Sequence, residues 1–341
     1  MLLQIVLIFI ALSLASCDNP TAIVKPYDGP DPGYILAESD SGLSNRLRVL
    51  AAYMYVGEAR FEGAHLIFIW DVNSACTGHF LEVFQPIENV IFATNSSRYV
   101  LDKGAKIVYE NSWAVFQWTL QQNGIPKSKF GFPTWGQIEY NMHSRFLPTQ
   151  AVMSKVVAFV RKHKICQSSS MHIRMTDMSQ HMKKKRKSVN LSSYFDFVES
   201  RPKDEAVYLL TDNAETQQLF LQKYGSDKIL VYNKISTTQK VFDPRQNPGI
   251  ASPHAIFNSS SEIDAHSIET AVKPGSRSHG RLPADHRHTT LEHTLIDILI
   301  AAHAKDFKPG IFSSLSDLVT IFKQIGRKDR GWCSAGYGDT H

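Results

Sequence analysis

Residues 65–71 read His-Leu-Ile-Phe-Ile-Trp-Asp, a near-continuous apolar run with no polar residue in alternation. A strand wetted on one face alternates apolar and polar side chains. One that is apolar throughout is buried on both faces, which points to a parallel sheet covered by helices above and below. The preceding segment fits the same unit: Tyr34-Ile35-Leu36-Ala37 predicts a strand, residues 39–46 a turn-rich loop, and residues 47–56 a helix. Strand, loop, helix and strand at this spacing make a βαβ unit. Residues 90–92 and 105–109 are two further candidate strands, followed by an aromatic, irregular stretch from Trp113 to about Pro148.

The alternation then repeats. Residues 148–164 predict an amphipathic helix with Pro148 at its start, where the missing N–H costs nothing. Strands are expected at 171–174, 206–211, 229–232 and 307–311, and helices at 194–200, 214–224 (closed by Gly225), 289–304 and 316–324. Residues 234–288 are polar and rich in Ser, Pro, Gly and His, and predict a long loop or insertion. The 341 residues are enough for two ordinary domains. The economical division is an N-terminal α/β domain over 30–148 and a C-terminal one over 149–330, with a ligand cleft between them.

At 43% hydrophobic and 20% charged residues the chain is neither disordered nor fibrous. Its formal charge of +5 suits an anionic ligand. Nucleic-acid binding is not expected, because the sole dense basic run, Lys183-Lys184-Lys185-Arg186-Lys187, reads as a solvated loop, with anion steering or a partner contact as the alternative.

Residues 1–16 are an unbroken apolar stretch ending at Cys17-Asp18-Asn19-Pro20. This is short for a membrane span and lacks basic flanks, so residues 1–17 are expected to be a cleaved signal peptide. An uncleaved anchor, which would be the chain's one tie to a membrane, and a lipobox at Leu14-Ala15-Ser16-Cys17 are the alternatives. Three Asn-x-Ser sequons, at Asn95, Asn190 and Asn258, favour the eukaryotic secretory pathway (the ER or Golgi lumen, or secretion) over a bacterial envelope. The four cysteines have no zinc-ligand spacing, and one disulfide among Cys76, Cys166 and Cys333 would suit an oxidising lumen.

Three loops would face the cleft. Gly42-Leu43-Ser44-Asn45-Arg46 follows the first strand; its glycine permits close backbone approach and Asn45 can donate an amide to a sugar or phosphate oxygen, although Ser44 or Asn45 would serve equally as an N-cap. Met171-His172-Ile173-Arg174-Met175-Thr176-Asp177 delivers a His, an Arg and an Asp at a strand end, where α/β folds bind ligands. Arg is suited to a diphosphate through its planar, bidentate fork. Phe312-Ser313-Ser314-Leu315-Ser316-Asp317 opens a helix, so its hydroxyls and first-turn N–H groups form either a cap or an anion pocket. The chain has no Walker-type phosphate loop and no Asp-x-Asp for a metal–nucleotide complex.

On three stretches the chain resembles the GDP-fucose-dependent fucosyltransferases of the O-fucosyltransferase, α1,6-fucosyltransferase and nodulation-fucosyltransferase superfamily. These are His172 to Asp177, Tyr208-Leu209-Leu210-Thr211-Asp212-Asn213, and Leu295-Ile296-Asp297 through Ser316, where Asp297, Asp306, Phe312 and Ser314 keep the family's spacing. The resemblance covers chiefly residues 150–325, with 42–48 a looser match.

It implies a GT-B-like α/β fold of two Rossmann-like domains. The implied activity is inverting, metal-independent transfer of fucose from GDP-fucose, a donor substrate and not a cofactor, to a hydroxyl of a glycan or glycoprotein acceptor. Arg174 would hold the β-phosphate and stabilise departing GDP, and His172 and Asp297 would read the guanine and ribose edge. Ser313 and Ser314 would bind the diphosphate, and Asn45 would approach from the facing domain. Two positions depart from the pattern. Met175 stands where many members carry a second Arg, and the region of His181 and Met182 lacks the acid often found there, which leaves Asp177 and His181 as candidate bases. The alternative these departures raise is a transferase-like protein that binds nucleotide or glycan without turnover.

Overall fold

The computed structural model describes residues 34–39, 41–61, 65–73, 75–93, 105–109, 120–121, 124–125, 127, 133–174, 191–232, 289–311 and 313–327. The expected signal segment, Asp177, His181 and the basic run, Phe312 and all of the expected long loop lie outside the described residues.

Among the described residues, two four-stranded parallel sheets organise the fold. The first contains β1 (Tyr34–Glu38), β2 (His65–Ile69), β3 (Val90–Ala93) and β4 (Ala105–Tyr109). Between them run α1 (Leu43–Arg60) and the single turn α2 (Phe80–Val83). After α3 (Trp135–His143) and α4 (Gln150–Lys162), the second sheet contains β5 (Ser169–Ile173), β6 (Val207–Thr211), β7 (Ile229–Leu230) and β8 (Asp306–Lys308). Its helices are α5 (Ser192–Glu199), α6 (Ala214–Tyr224), α7 (Leu291–His303) and α8 (Ser314–Ile325). Every ladder pairing among the described residues is parallel, as the apolar runs of β1 and β2 lead one to expect.

The two sheets have the same order, β3-β2-β1-β4 and β7-β6-β5-β8. In each, the chain leaves the first strand, adds two strands on one side, then crosses back to add the fourth on the other. Strand direction of travel therefore reverses between β1 and β4 and between β5 and β8. The crevice outside the carboxyl ends at such a reversal is where open parallel sheets take ligands.

The period-two alternation of the second sheet assigns its faces. Met171, Ile173, Val207 and Leu209 pack on Tyr194, Val198 and Phe220 of α5 and α6. Tyr208 and Leu210 join the opposite layer, with Ser170 and His172 directed to α7 and α8. Helix α7 is apolar nearly all round, with nine buried residues from Leu291 to His303, because it is enclosed by α4, α8, α2 and the sheet. Contacts of α8 with α1 and α3 and of α7 with α2 make one continuous core from Ile35 to Ile325.

Several boundaries differ from those the sequence predicts. Helix α1 begins at Leu43, so Leu43 to Arg46 form its first turn and not part of a loop. The aromatic stretch before Pro148 contains helix α3, set by a Thr134/Gln137 capping box. Thr149, not Pro148, caps α4. Cys166 is disulfide-bonded, whereas the buried Cys76 is not.

Candidate active site

The reversal between β5 and β8 gathers four of the residues that the sequence singles out. His172 is the fourth residue of β5 and is buried; Arg174 follows the strand's last residue and is half-buried. Strand β8 lies beside β5 in register, Met171 opposite Lys308, so the turn after β8 brings Gly310 and Ser313 across the same strand end. An added Cβ on Gly310 would lie 3.0 Å from His172 Nδ1 and 3.0 Å from its carbonyl oxygen. Only a glycine lets the backbone cross the imidazole this closely. Gly310 N–H donates to Ser316 Oγ at 2.8 Å, and the same hydroxyl lies 2.8 Å from His172 Nδ1.

Ser313 is the N-cap of α8 but makes no capping hydrogen bond. It is 4% exposed, and its Oγ is buried without a hydrogen-bond partner among the described residues. By contrast, Thr134, Thr149, Asn213 and Thr290 each accept a first-turn N–H of their helices. The first-turn N–H groups of α8, with the positive end of its dipole, are thus not capped by Ser313, whose hydroxyl has no partner among the described residues. Ser314 is the first residue of the helix and half-buried. A buried polar atom without a partner is costly, and an anion at this helix end would satisfy the hydroxyl and the amides together.

Asp297 sits toward the other side of the sheet. It accepts a hydrogen bond from the Tyr208 hydroxyl at 2.5 Å, and the Tyr208 oxygen also meets the backbone N–H of Tyr232, just past β7. Burial pushes the Asp297 carboxyl up to about 7, with the Tyr208 hydroxyl opposing, and burial likewise raises Tyr208, helped by the adjacent Asp297. Tyr208 lies on β6, and from β6 to β8 is two strand spacings, about 10 Å. The structure therefore separates an acid over β6 from an anion-suited helix end near β8.

Asn45 belongs to the first sheet's reversal. It lies in the first turn of α1, half-buried, and its carboxamide has no hydrogen-bond partner among the described residues. One turn further on, Arg48 donates from Nη2 to Asp317 of α8 at 2.8 Å and lies 3.4 Å from Glu139 of α3. Asp317 in turn lies one turn past Ser313. The Arg48–Asp317 bridge hence sets Asn45 and the Ser313/Ser314 pair about one turn, roughly 5 Å, to either side of itself. Burial raises the Glu139 carboxyl, Arg48 opposes this, and Asp317 adds to it.

Two structural residues escape sequence reasoning. Arg46 is wholly buried, its Nε donating to the Ser41 carbonyl at 2.6 Å and its guanidinium 5.0 Å from the Trp70 ring centroid. Ser316 is 2% exposed and holds His172 and Gly310 together. Both lie in stretches the sequence singles out, but nothing there marks these roles: Ser316 meets His172 from 144 residues away, and Arg46 folds a charge inward against its usual preference.

No family model matches the chain, and no curated protein matches it. Among solved structures it is similar to the fucosyltransferase NodZ from Bradyrhizobium, at 11% identity over 84% of this chain and 92% of that one, with a TM-score of 0.45. It is also similar to NodZ alpha-1,6-fucosyltransferase soaked with GDP-fucose (12% identity, 85% and 92% coverage, TM-score 0.45) and co-crystallized with GDP (11%, 84% and 91%, TM-score 0.45).

Proposed function

We propose that the chain is a glycosyltransferase that moves fucose from GDP-fucose to a hydroxyl of a glycan or glycoprotein. One observation carries this reading: the uncapped N-terminus of α8, with the buried and unpartnered Ser313 hydroxyl, lies at the β5/β8 reversal beside His172 and Arg174. That arrangement suits the diphosphate of a nucleotide sugar. Asp297, about two strands away, suits the base, because a carboxylate accepts from adjacent N–H donors such as those on guanine's edge.

In the transfer, the acceptor oxygen attacks the anomeric carbon of fucose from the face opposite GDP. The bond from that carbon to the β-phosphate oxygen breaks, and configuration inverts. Negative charge grows on the departing diphosphate, where Arg174, the Ser313 and Ser314 hydroxyls and the α8 amides stabilise it as fixed donors. Asn45 approaches the sugar or phosphate from the first sheet, across a cleft between two Rossmann-like units in a GT-B-like arrangement. Asp177, three positions after Arg174, accepts the proton of the attacking hydroxyl. Residence in the secretory pathway accords with the disulfide at Cys166 and the three sequons.

Calorimetric titration with GDP, UDP and CMP, without added metal, tests the reading. The expected result is binding that prefers GDP and disappears in Arg174→Ala while the circular dichroism of the variant stays that of the parent. Absent or indiscriminate binding overturns it. GDP binding with no transfer to any acceptor would favour the non-catalytic alternative, to which Met175 at the position after Arg174 already points.

A further inference from the structure

The turn that carries the chain from β8 toward α8 is held by two hydroxyls on opposite faces of the second sheet. Gly310 N–H donates to Ser316 Oγ of α8 at 2.8 Å, and the Ile311 N–H meets the hydroxyl oxygen of Tyr194, a buried residue of α5. Gly310 turns its Cβ position onto the His172 ring and carbonyl, the floor made by the end of β5. The next side chain leaves toward solvent instead: Ile311 is 43% exposed. A single exposed apolar residue on a helix or a connecting loop needs no explanation, and Leu219 of α6 and Leu147 ahead of α4 are of that kind. Ile311 differs in its place. It stands at the β5/β8 reversal, on backbone held from both faces, two residues before the buried Ser313.

We infer that Ile311 is a specificity-determining residue of the donor site, its side chain packing on the C6 methyl group of fucose. The inference rests on the donor-site reading above. Fucose is a 6-deoxy hexose, so its C6 is an apolar methyl where galactose carries a hydroxymethyl. The Cα atoms of residues two apart lie within about 7 Å of each other. A diphosphate met by Ser313 and the α8 amides therefore has its sugar, attached directly to the β-phosphate, within reach of Ile311. Contact with the methyl removes apolar surface from water on both partners. The isoleucine gives up little freedom in doing so, because a β-branched side chain on a pinned backbone is already restricted. A C6 hydroxyl in the same place would leave water for an apolar surface that offers it no hydrogen bond. The preference for the deoxy sugar thus comes from a contact separate from those that hold the diphosphate.

The test is calorimetric titration of the full chain with GDP, GDP-β-L-fucose and GDP-β-L-galactose, the last differing from the second only by the C6 hydroxyl. Chromatography of the recovered ligand checks that the donor stays intact. Wild type is expected to prefer the fucose donor about tenfold. In Ile311→Thr, which keeps the β-branch and exchanges a methyl-sized apolar group for a hydroxyl, GDP-fucose affinity should fall about fourfold, the worth of one buried methyl-sized group. GDP and GDP-galactose should bind as before, so the preference shrinks to about two- to threefold. Ile311→Val, still apolar, should retain the wild-type preference. Urea midpoints of both variants, expected to match wild type at this exposed position, separate a lost contact from a damaged fold. An unchanged preference in Ile311→Thr overturns the inference, as does an equal loss of GDP and GDP-fucose affinity, which would place Ile311 against the nucleotide. Both of those outcomes leave the donor site standing. A wild-type chain that binds none of the three ligands overturns the donor-site reading, and the role of Ile311 falls with it.

Discussion

The two sheets share a strand order, yet the crevices at their reversals are filled differently. At the first, between β1 and β4, α1 opens on Gly42 and turns Arg46 inward, fully buried, against the Ser41 carbonyl and the Trp70 ring. At the second, between β5 and β8, α8 opens on Ser313, whose buried hydroxyl lacks a partner, and Arg174 stays half-buried at the strand end. Both helices lack a side-chain cap. In one corner the protein supplies its own cation from within; in the other, a buried hydroxyl and the first-turn amides of α8 lie at a strand end suited to an anion. Topology thus nominates two corners, and their side chains make the second the one suited to an anion.

The comparison breaks most visibly by emptying the first corner. Arg46→Ala removes a buried guanidinium and its stacking on Trp70, and should destabilise the chain by about 3–4 kcal/mol, read as a lower midpoint in urea. Arg174→Ala should cost less than about 0.5 kcal/mol in the same assay, because a half-buried strand-end residue contributes little to packing. Equal losses in the two variants would mean that both corners are structural.

A second effect, up to a few kcal/mol, is confined to a pH window. Asp297 has its carboxyl raised to about 7, so between about pH 4 and 7 the native state keeps a proton that the unfolded chain has released. This part of the stability is present at low pH and is lost as pH rises through 7. Buried neutral His143 and His303, both lowered to about 4 by burial, have the opposite sign: their contribution is lost as pH falls from about 6.5 toward 4. Subtracting the pH–stability curve of Asp297→Asn from that of wild type isolates the Asp297 component, since the amide still accepts from Tyr208. A flat difference curve would mean that Asp297 is charged throughout and that its burial is relieved by water.

Smaller again, a pair of glycine substitutions separates the second corner from ordinary helix surface. Gly310→Ala drives a Cβ to 3.0 Å from the His172 ring and carbonyl and should cost about 1–3 kcal/mol with weakened GDP binding. Gly136→Ala, in α3, meets nothing within 4 Å and should stabilise by roughly 0.5–1 kcal/mol through helix propensity, leaving GDP binding unchanged.

What could be foreseen divides along the same physical line. Strand positions follow from apolar runs such as Leu66 to Ile69 and Val207 to Leu210, whereas β5, with buried Ser169, Ser170 and His172, is legible only from Met171 on. Strand ends and the helix after β8 mark His172, Arg174, Ser313 and Ser314, because βα turns are where such residues gather. Helix α3 was legible only in its capping box, Thr134 with Gln137, and its aromatic surroundings hid the helical period. Arg46, Arg48 and Ser316 have no local signal. Arg46 inverts the usual exposure of arginine, and the partners of Arg48 and Ser316 lie 269 and 144 residues away in sequence. Side-chain direction at the two corners is a product of tertiary packing, which a pattern of residue types does not encode.

Arg48 offers the finest test, because it joins the two corners. It bonds Asp317, one turn into α8 from Ser313, and approaches Glu139, and it lies one turn into α1 from Asn45. As a stabilising contact it is weak: Asp317 is 59% exposed on its side chain, and pairs of that kind contribute less than about 1 kcal/mol. As an alignment device it can matter more, since a misplacement of about 1 Å at reacting groups can slow a reaction far beyond its cost in stability. Arg48→Gln should therefore leave the urea midpoint and the GDP affinity nearly unchanged and lower the rate of transfer about tenfold at saturating donor. If the rate holds while Asn45→Ala still reduces it, the two corners are aligned by the shared core of α1, α3 and α8 and not by the bridge. If GDP affinity falls with the rate, Arg48 acts through the α8 N-terminus alone, and the first corner has no part in holding the donor.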